Sequence, residues 1–268
     1  MFAQKINNFL KLIRAYEWID KLQLNFIAAF ILIIDLPDPV KYFPQIIILG
    51  VYMIFLGSYG YVINSYSDRE ADAIVGKHPE ARYFSIRETQ AILAILAIPS
   101  IAIPVYFPDV RIKLLGIMTF LLVTFYSLKP IRFKERGVLG IFAAALTQRT
   151  LPFLLFIYII PDPDTAIANF LLLWLSIVGL AIIMTHQYSD LENDRKSRVN
   201  TWAVERGITH AKKLIKLILI LLFILVLVPI LILPFYEGLT ISMVILYFSG
   251  YAISDSIYAL RSSDHYAS

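Results

Sequence analysis

Runs of about 20 mostly apolar residues, each long enough to cross a hydrocarbon core as a helix, recur along almost the whole chain. Eight can be delimited, at residues 20–36, 44–66, 89–107, 112–129, 138–160, 165–189, 211–233 and 238–259. In lipid every backbone N–H and C=O must be satisfied within the segment, which restricts such runs to helices. Composition agrees: 59% of the 268 residues are hydrophobic and 16% charged, at a mean hydropathy of +0.71, which excludes an ordinary soluble globule. No stretch between the runs is long enough for a soluble domain, so residues 1–268 are expected to form one all-α, polytopic transmembrane helical bundle. The absence of cysteine excludes disulfides, thiolate chemistry and Cys-ligated metals. Ahead of the first span, Met1–Asp20 interleaves Lys5, Lys11 and Arg14 with Phe9, Leu10, Leu12, Ile13 and Trp18, has no small-residue cleavage site, and reads as an interfacial helix.

Basic residues orient the bundle. The N-terminal segment, the connections after spans 2, 4 and 6 and the C-terminus hold twenty of the Lys and Arg residues; the opposite side holds three, Lys41, Arg111 and Lys113. The positive-inside rule then places both termini in the cytoplasm. The net charge of +4 is concentrated where this rule expects it and calls for no nucleic-acid partner, and no obligatory protein partner is evident.

Two acidic clusters follow apolar runs on that same side. Asn64, Asp68 and Asp72 stand at i, i+4 and i+8, within roughly 80° of one helical face at about 100° per residue, and Asp190 and Asp194 are one turn apart on theirs. A lone DxxxD at a helix end is usually a solvated terminus; two on one membrane face, each trailed by cations, are a different matter. If the faces converge they repel each other and are expected only where cations fill the gap, most simply Mg²⁺ holding a diphosphate. The loop after Asp72 carries Lys77 and Arg82, spaced to reach back over the first cluster, and Tyr126 to Gly137 sets Lys129, Arg132, Lys134 and Arg136 around the helix-breaking Pro130. Carboxylates for metal, metal for diphosphate, and Lys or Arg for the remaining phosphate charge are the usual means of stabilising a departing phosphate.

The N-x-x-x-D-x-x-x-D of Asn64, Asp68 and Asp72, the Y-S-x-x-P-x-R-x-K of Tyr126 to Lys134, and the D-x-x-x-D of Asp190 and Asp194 with the following Thr201, Ala203, Val204 and Gly207 together resemble the UbiA superfamily of intramembrane prenyltransferases. The motifs run from span 2 to just before span 7; spans 7 and 8 match in hydrophobicity alone. The resemblance implies a bundle with a central cavity open to lipid, capped by the loops after spans 2 and 6. It implies that Asn64, Asp68, Asp72, Asp190 and Asp194 coordinate Mg²⁺, with two ions expected, around a polyprenyl diphosphate. The chain departs from the family pattern in two places. The loop usually written N-K-P-x-R-P-x-x-S-G stands here as Gly76-Lys77-His78-Pro79-Glu80-Ala81-Arg82-Tyr83-Phe84-Ser85, and eight spans are counted where members usually have nine.

Inside the membrane, Gln148 and Arg149 interrupt span 5. A charge there costs about 2.5–3.5 kcal/mol on insertion scales, which marks Arg149 as a cavity residue for a polar or anionic acceptor, or as half of a structural ion pair with Asp255 or Asp20. His186, one turn before Asp190, is placed to reach the second cluster or the acceptor, or to serve as an interhelical contact. The expected activity is Mg²⁺-dependent transfer of a prenyl chain from its diphosphate to a lipophilic or aromatic acceptor. The alternatives are phosphoribosyl transfer to polyprenyl phosphate, cyclisation of the same diphosphate and, from another class, transport.

Overall fold

The computed structural model describes residues 2–262, and every regular element in it is helical. In chain order these are α1 (Phe2–Leu12), α2 (Trp18–Ile33), α3 (Phe43–Ser67), α4 (Arg69–Val75), α5 (Ile86–Tyr106), α6 (Val110–Ser127), α7 (Val138–Ala145), a π-helical turn (Leu146–Thr150), α8 (Leu151–Ile159), α9 (Thr165–Ser189), α10 (Leu191–Lys196), α11 (Trp202–Ile232) and α12 (Phe235–Ser262). Short 3₁₀ turns fill several connections, including Pro79–Tyr83 and Phe133–Glu135.

Seven helices among the described residues are long and apolar enough to cross a membrane. The eighth expected run, 20–36, is the helix α2, whose 16 residues fall short of the about 20 that a full crossing takes. The run expected at 211–233 begins earlier, because a Thr201-led turn precedes it and Gly207, at φ 75° and ψ 165°, separates that turn from the long helix. Helix starts obey local chemistry. Ser85 and Glu88 form a capping box on α5, and Asp109 and Asp164 accept backbone N–H groups at the starts of α6 and α9.

The bundle is built on α9, which packs against α2, α7, α8, α11 and α12. Trp174 of α9 is wholly buried with Tyr52, Phe153 and Phe156. Since lipid is as apolar as the core, close packing and interhelical hydrogen bonds hold the helices together. Trp174 Nε1 donates to Ser249 Oγ at 2.9 Å, and Thr185 and Ser256 share a hydrogen bond of 2.7 Å, both fastening α12 to α9. Tyr59 and Thr124 join α3 to α6 at 3.1 Å. α1 lays Leu12 and Ile13 against Ala81 and Phe84 of the loop after α4.

Two glycines control what lies at the end of the bundle. Gly76 closes α4 in the left-handed conformation, φ 71°, which a residue with a Cβ adopts at a cost, and hands the chain directly to Lys77. Gly140, in the first turns of α7, lets the Phe133–Glu135 turn lie on the helix: a Cβ there would stand 2.4 Å from the Phe133 carbonyl oxygen and 3.1 Å from Lys134 Cα. Both obstacles are backbone. Gly140→Ala is therefore expected to destabilise the protein by about 1–3 kcal/mol, as overpacking does. The measurement is the thermal midpoint in detergent, and an unchanged midpoint would mean that the turn yields freely.

Candidate active site

Both acidic motifs sit on bends. α3 stops at Asp68, whose φ of −101° and ψ of 5° lie off the helix, and α4 begins at the next residue; α9 stops at Asp190, at φ −89° and ψ −2°, and α10 follows. The hydrogen bonds are not lost at either bend. Asp68 N donates to Asn64 O at 2.9 Å and Asp72 N to Asp68 O at 2.8 Å, while Asp190 N reaches His186 O at 3.0 Å and Asp194 N reaches Asp190 O at 2.9 Å. The i, i+4 spacing thus keeps its meaning, but on a hinged path rather than one straight face. α4 and α10 pack against each other, so the clusters share one end of the bundle.

Basic side chains from two loops, those after α4 and α6, enter this end. Asp68 is the most enclosed carboxylate. Arg132 Nη2 donates to its Oδ1 at 2.8 Å and Lys134 Nζ to its Oδ2, and the Asp68 and Lys134 side chains are only 9% and 8% exposed. The Arg132 guanidinium also holds the Ser127 carbonyl at 3.0 Å and Glu135 at 2.7 Å. Asn64 Oδ1 accepts from the Ser127 hydroxyl at 2.9 Å and from Lys134 at 3.4 Å. The Tyr126 hydroxyl lies near the Gln187 side chain, whose amide atoms are buried without a hydrogen-bond partner, and within electrostatic range of both Asp68 and Asp194.

The Lys77 ammonium makes its ion pair with the second cluster, although its charge is also felt by Asp72. Lys77 Nζ lies 2.6 Å from Asp190 Oδ1, tying the loop after the first motif to the second motif. His186 stands on the other side of the same carboxylate, Nε2 to Oδ2 3.5 Å, with its side chain 60% exposed. Arg82 is exposed and donates to the Ala73 carbonyl at 3.4 Å, away from the carboxylates. The interior Arg149 is 3% exposed and lies in the π-helical turn, its Cγ against Gly179 of α9 and its charge within range of Tyr61. π-turns of this kind occur often at functional sites. Of the two expected ion-pair partners of Arg149, Asp255 is an exposed residue of α12, and the side chain of Asp20 lies outside the described residues.

Burial shapes the charge state of the acidic groups. Asp194 is pushed up to about 6, chiefly by burial and further by the charge of Asp190, against a 2.9 Å hydrogen bond donated by the Thr201 hydroxyl. Asp72 is raised by burial and then by Asp68, opposed by His78, Lys134 and Lys77. Burial likewise pulls the Lys134 ammonium below the usual lysine range, against the attraction of Asp68.

The donor set fits a hard divalent cation. It consists of oxygens from Asn, Asp and Thr side chains, and Asp72 Oδ2 is buried with no hydrogen-bond donor. Among the described residues no group of three His, Asp or Glu side chains is gathered closely enough to hold a metal unaided. Mg²⁺ suits such a site because it is commonly held by one or two carboxylates together with substrate phosphates.

Several of these features escape a reading of the sequence: the bends at the two motifs, the crossing of Lys77 to Asp190, Ser127 on Asn64, and Thr201 on Asp194. A further network joins the segment before α2 to the cap loop. Arg14 Nη2 lies 2.9 Å from His78 Nε2, its guanidinium stands 4.6 Å from the centre of the Tyr61 ring, and the Tyr61 hydroxyl donates to Glu17 at 2.8 Å. The only hint in the sequence is that these polar residues interrupt apolar surroundings.

Known proteins share this architecture. A UbiA homologue from Archaeoglobus fulgidus, solved bound to GPP and Mg²⁺, superposes with a TM-score of 0.70 at 21% identity, over 91% of this chain and 86% of that one. The same homologue bound to Cd²⁺ gives 0.69 at 20% identity, over 96% and 89%. A digeranylgeranylglyceryl phosphate synthase gives 0.63 at 17% identity, over 96% and 99%. No curated protein matches the sequence. The UbiA prenyltransferase family model matches residues 26–267, a stretch that takes in both acidic motifs and the helices that carry them, and the chain belongs to that family.

Proposed function

We propose that this single-domain membrane protein is a Mg²⁺-dependent transferase. It ionises a polyprenyl diphosphate between the two acidic motifs and passes the prenyl chain to a lipophilic or aromatic acceptor. The observation that carries the reading is the convergence of both motifs with cations from two loops, Arg132 and Lys134 on Asp68 and Lys77 on Asp190 at 2.6 Å. GPP and Mg²⁺, bound by the Archaeoglobus homologue, suit that chemistry. The asymmetry of basic residues favours a cytoplasmic face for this end of the bundle.

Asn64, Asp68, Asp72, Asp190 and Asp194 would hold the metal, with Asp72 presenting the oxygen that lacks a donor. When bound, Mg²⁺ neutralises charge developing on the departing diphosphate. Arg132 and Lys134 stand beside Asp68 and supply positive charge at the same end of the bundle. Ser127 and Thr201 fix the orientations of Asn64 and Asp194. The apolar bundle below would exclude water, so that the allylic cation meets the acceptor before a water molecule captures it. Arg149, buried in the π-turn, offers the acceptor a fixed cationic contact.

The decisive assay is Mg²⁺-dependent release of diphosphate from geranylgeranyl diphosphate by purified protein, with and without a membrane-lipid extract. Release that depends on the extract is expected; release without it would indicate cyclisation or hydrolysis. Asp72→Asn and Asp194→Asn are each expected to lower turnover by at least about 10²-fold. Both should keep or raise the thermal midpoint, because burial disfavours the charges they remove; full activity in either would exclude that motif. Thr201→Val removes the hydrogen bond that favours ionised Asp194, so the carboxyl holds its proton to a pH above about 6. Metal binding requires the carboxylate, so calorimetry should show divalent-metal affinity about 10- to 100-fold weaker, with the deficit growing as pH falls. Arg149→Leu should impair acceptor use while leaving Mg²⁺-dependent diphosphate binding intact. Equal loss of both would make Arg149 structural.

A further inference from the structure

We propose that Lys77 is an exchangeable counter-ion. It occupies Asp190 until a diphosphate arrives, then moves to a phosphate oxygen, so that metal and donor bind the second motif together rather than separately. This rests on the reading that the acidic motifs hold a metal and a diphosphate.

The loop and the side chain differ in how firmly they are held. Lys77 lies between two left-handed residues, Gly76 at φ 71° and His78 at φ 46°. His78 is held on both ring nitrogens, by Arg14 at 2.9 Å and Glu80 at 3.1 Å, and the loop buries Ala81 and Phe84 against Leu12 and Ile13. The backbone is therefore anchored on each side of Lys77. Its side chain has four rotatable bonds, and the pair it makes is open to solvent, with Lys77 26% and Asp190 25% exposed. Lys134 is the opposite case. It is 8% exposed and locked on Asp68 alongside Arg132, a fixed charge rather than a movable one.

An ammonium 2.6 Å from Asp190 Oδ1 blocks that oxygen as a metal ligand, since Mg²⁺ bonds oxygen at about 2.0–2.1 Å and tolerates no second cation between. Metal binding by itself must displace Lys77 and leave its charge beside a divalent ion. Diphosphate removes that conflict by offering the displaced ammonium a new anionic partner. The second motif offers Asp190 and Asp194, its Glu192 being exposed and paired with Arg195 at 3.2 Å, and no group of three acidic or His side chains among the described residues forms a self-sufficient site, so the metal also gains from phosphate ligands. Both effects have the same sign. The coupling is reciprocal: whatever factor diphosphate adds to metal affinity, metal adds to diphosphate affinity.

The test measures binding, not turnover, on the full-length protein in detergent. Mn²⁺ is titrated by electron paramagnetic resonance, alone and with geranyl thiolodiphosphate, a donor analogue that resists ionisation. Wild type is expected to bind Mn²⁺ more tightly with the analogue. Lys77→Met should bind Mn²⁺ alone about tenfold more tightly than wild type and the Mn²⁺–analogue pair about tenfold less tightly, whereas Lys77→Arg, which keeps the charge, should retain the wild-type order. A gain in metal affinity cannot come from a damaged fold. Should Lys77→Met lack a thermal transition, Lys77→Gln carries the same expectation. Metal binding in Lys77→Met no tighter than in wild type overturns the exchange and leaves the acidic metal site standing. No Mn²⁺ binding by wild type, with or without the analogue, overturns both the exchange and the reading on which it rests.

Discussion

Carboxylates buried beside one another are raised in energy twice, by desolvation and by mutual repulsion, and this protein concentrates them where two apolar helices end. Everything else at that end answers this constraint. Asp68 takes two cations, one on each oxygen, and Asp190 takes Lys77. The cations come from other loops, so neutralising the acids also fixes how those loops dock. Removing one partner from an enclosed pair such as Asp68 and Lys134 would leave a stranded charge, a loss of about 3–5 kcal/mol by comparison with other buried pairs. Substitution of Asp68 would therefore confuse structure with chemistry. Asp72 and Asp194, whose charges burial disfavours, separate the two.

The bundle supplies the rigidity that this arrangement requires. The helix ends carrying the acids are bent but keep their backbone hydrogen bonds, so each motif turns toward the other without exposing polar backbone to lipid. Behind them, Ser249 and Ser256 of α12 bond Trp174 and Thr185 of α9, which pins the helix bearing Asp190 from the far side. Such bonds are each worth only about 0.6 kcal/mol on average in membrane proteins. Their role is to set register between helices whose lipid-facing and core-facing surfaces are equally apolar.

Hydrophobic runs made the helical bundle legible in the sequence, and charge asymmetry placed both acidic motifs on one face, because these properties depend on composition over about 20 residues. Asn64, Asp68, Asp72, Asp190 and Asp194 were legible through helical spacing, and Arg132 and Lys134 do meet the first cluster. The directions of Lys77 and Arg82 are not legible in spacing alone. They are set by backbone torsions at Gly76 and His78, which turn Lys77 onto Asp190 of the second motif and leave Arg82 on the Ala73 carbonyl. α2 looked like a full span because apolar residues continue past Ile33, although its helix ends there. The π-turn around Arg149 has no sequence signature beyond the polar residues it carries.

The network before α2 shows where adjustment can occur in a site built this way. Arg14 engages His78 of the loop after α4 and the ring of Tyr61 in α3, and Glu17 accepts from the same tyrosine, so the segment before α2, the loop and a core helix form one polar unit. With Phe84 and Ala81 buried beneath it, the loop resists moving as a whole, since motion would break both the ionic contacts and the apolar seat. Lys134 is buried and Arg132 is shared among three acceptors. Among the Lys and Arg side chains shown on the motif carboxylates, Lys77 is the one that combines a fixed backbone with a partly solvated side chain. On the proposed function, a site that accepts a highly charged donor and then releases diphosphate would do so by moving one ammonium, at far smaller cost than opening the bundle.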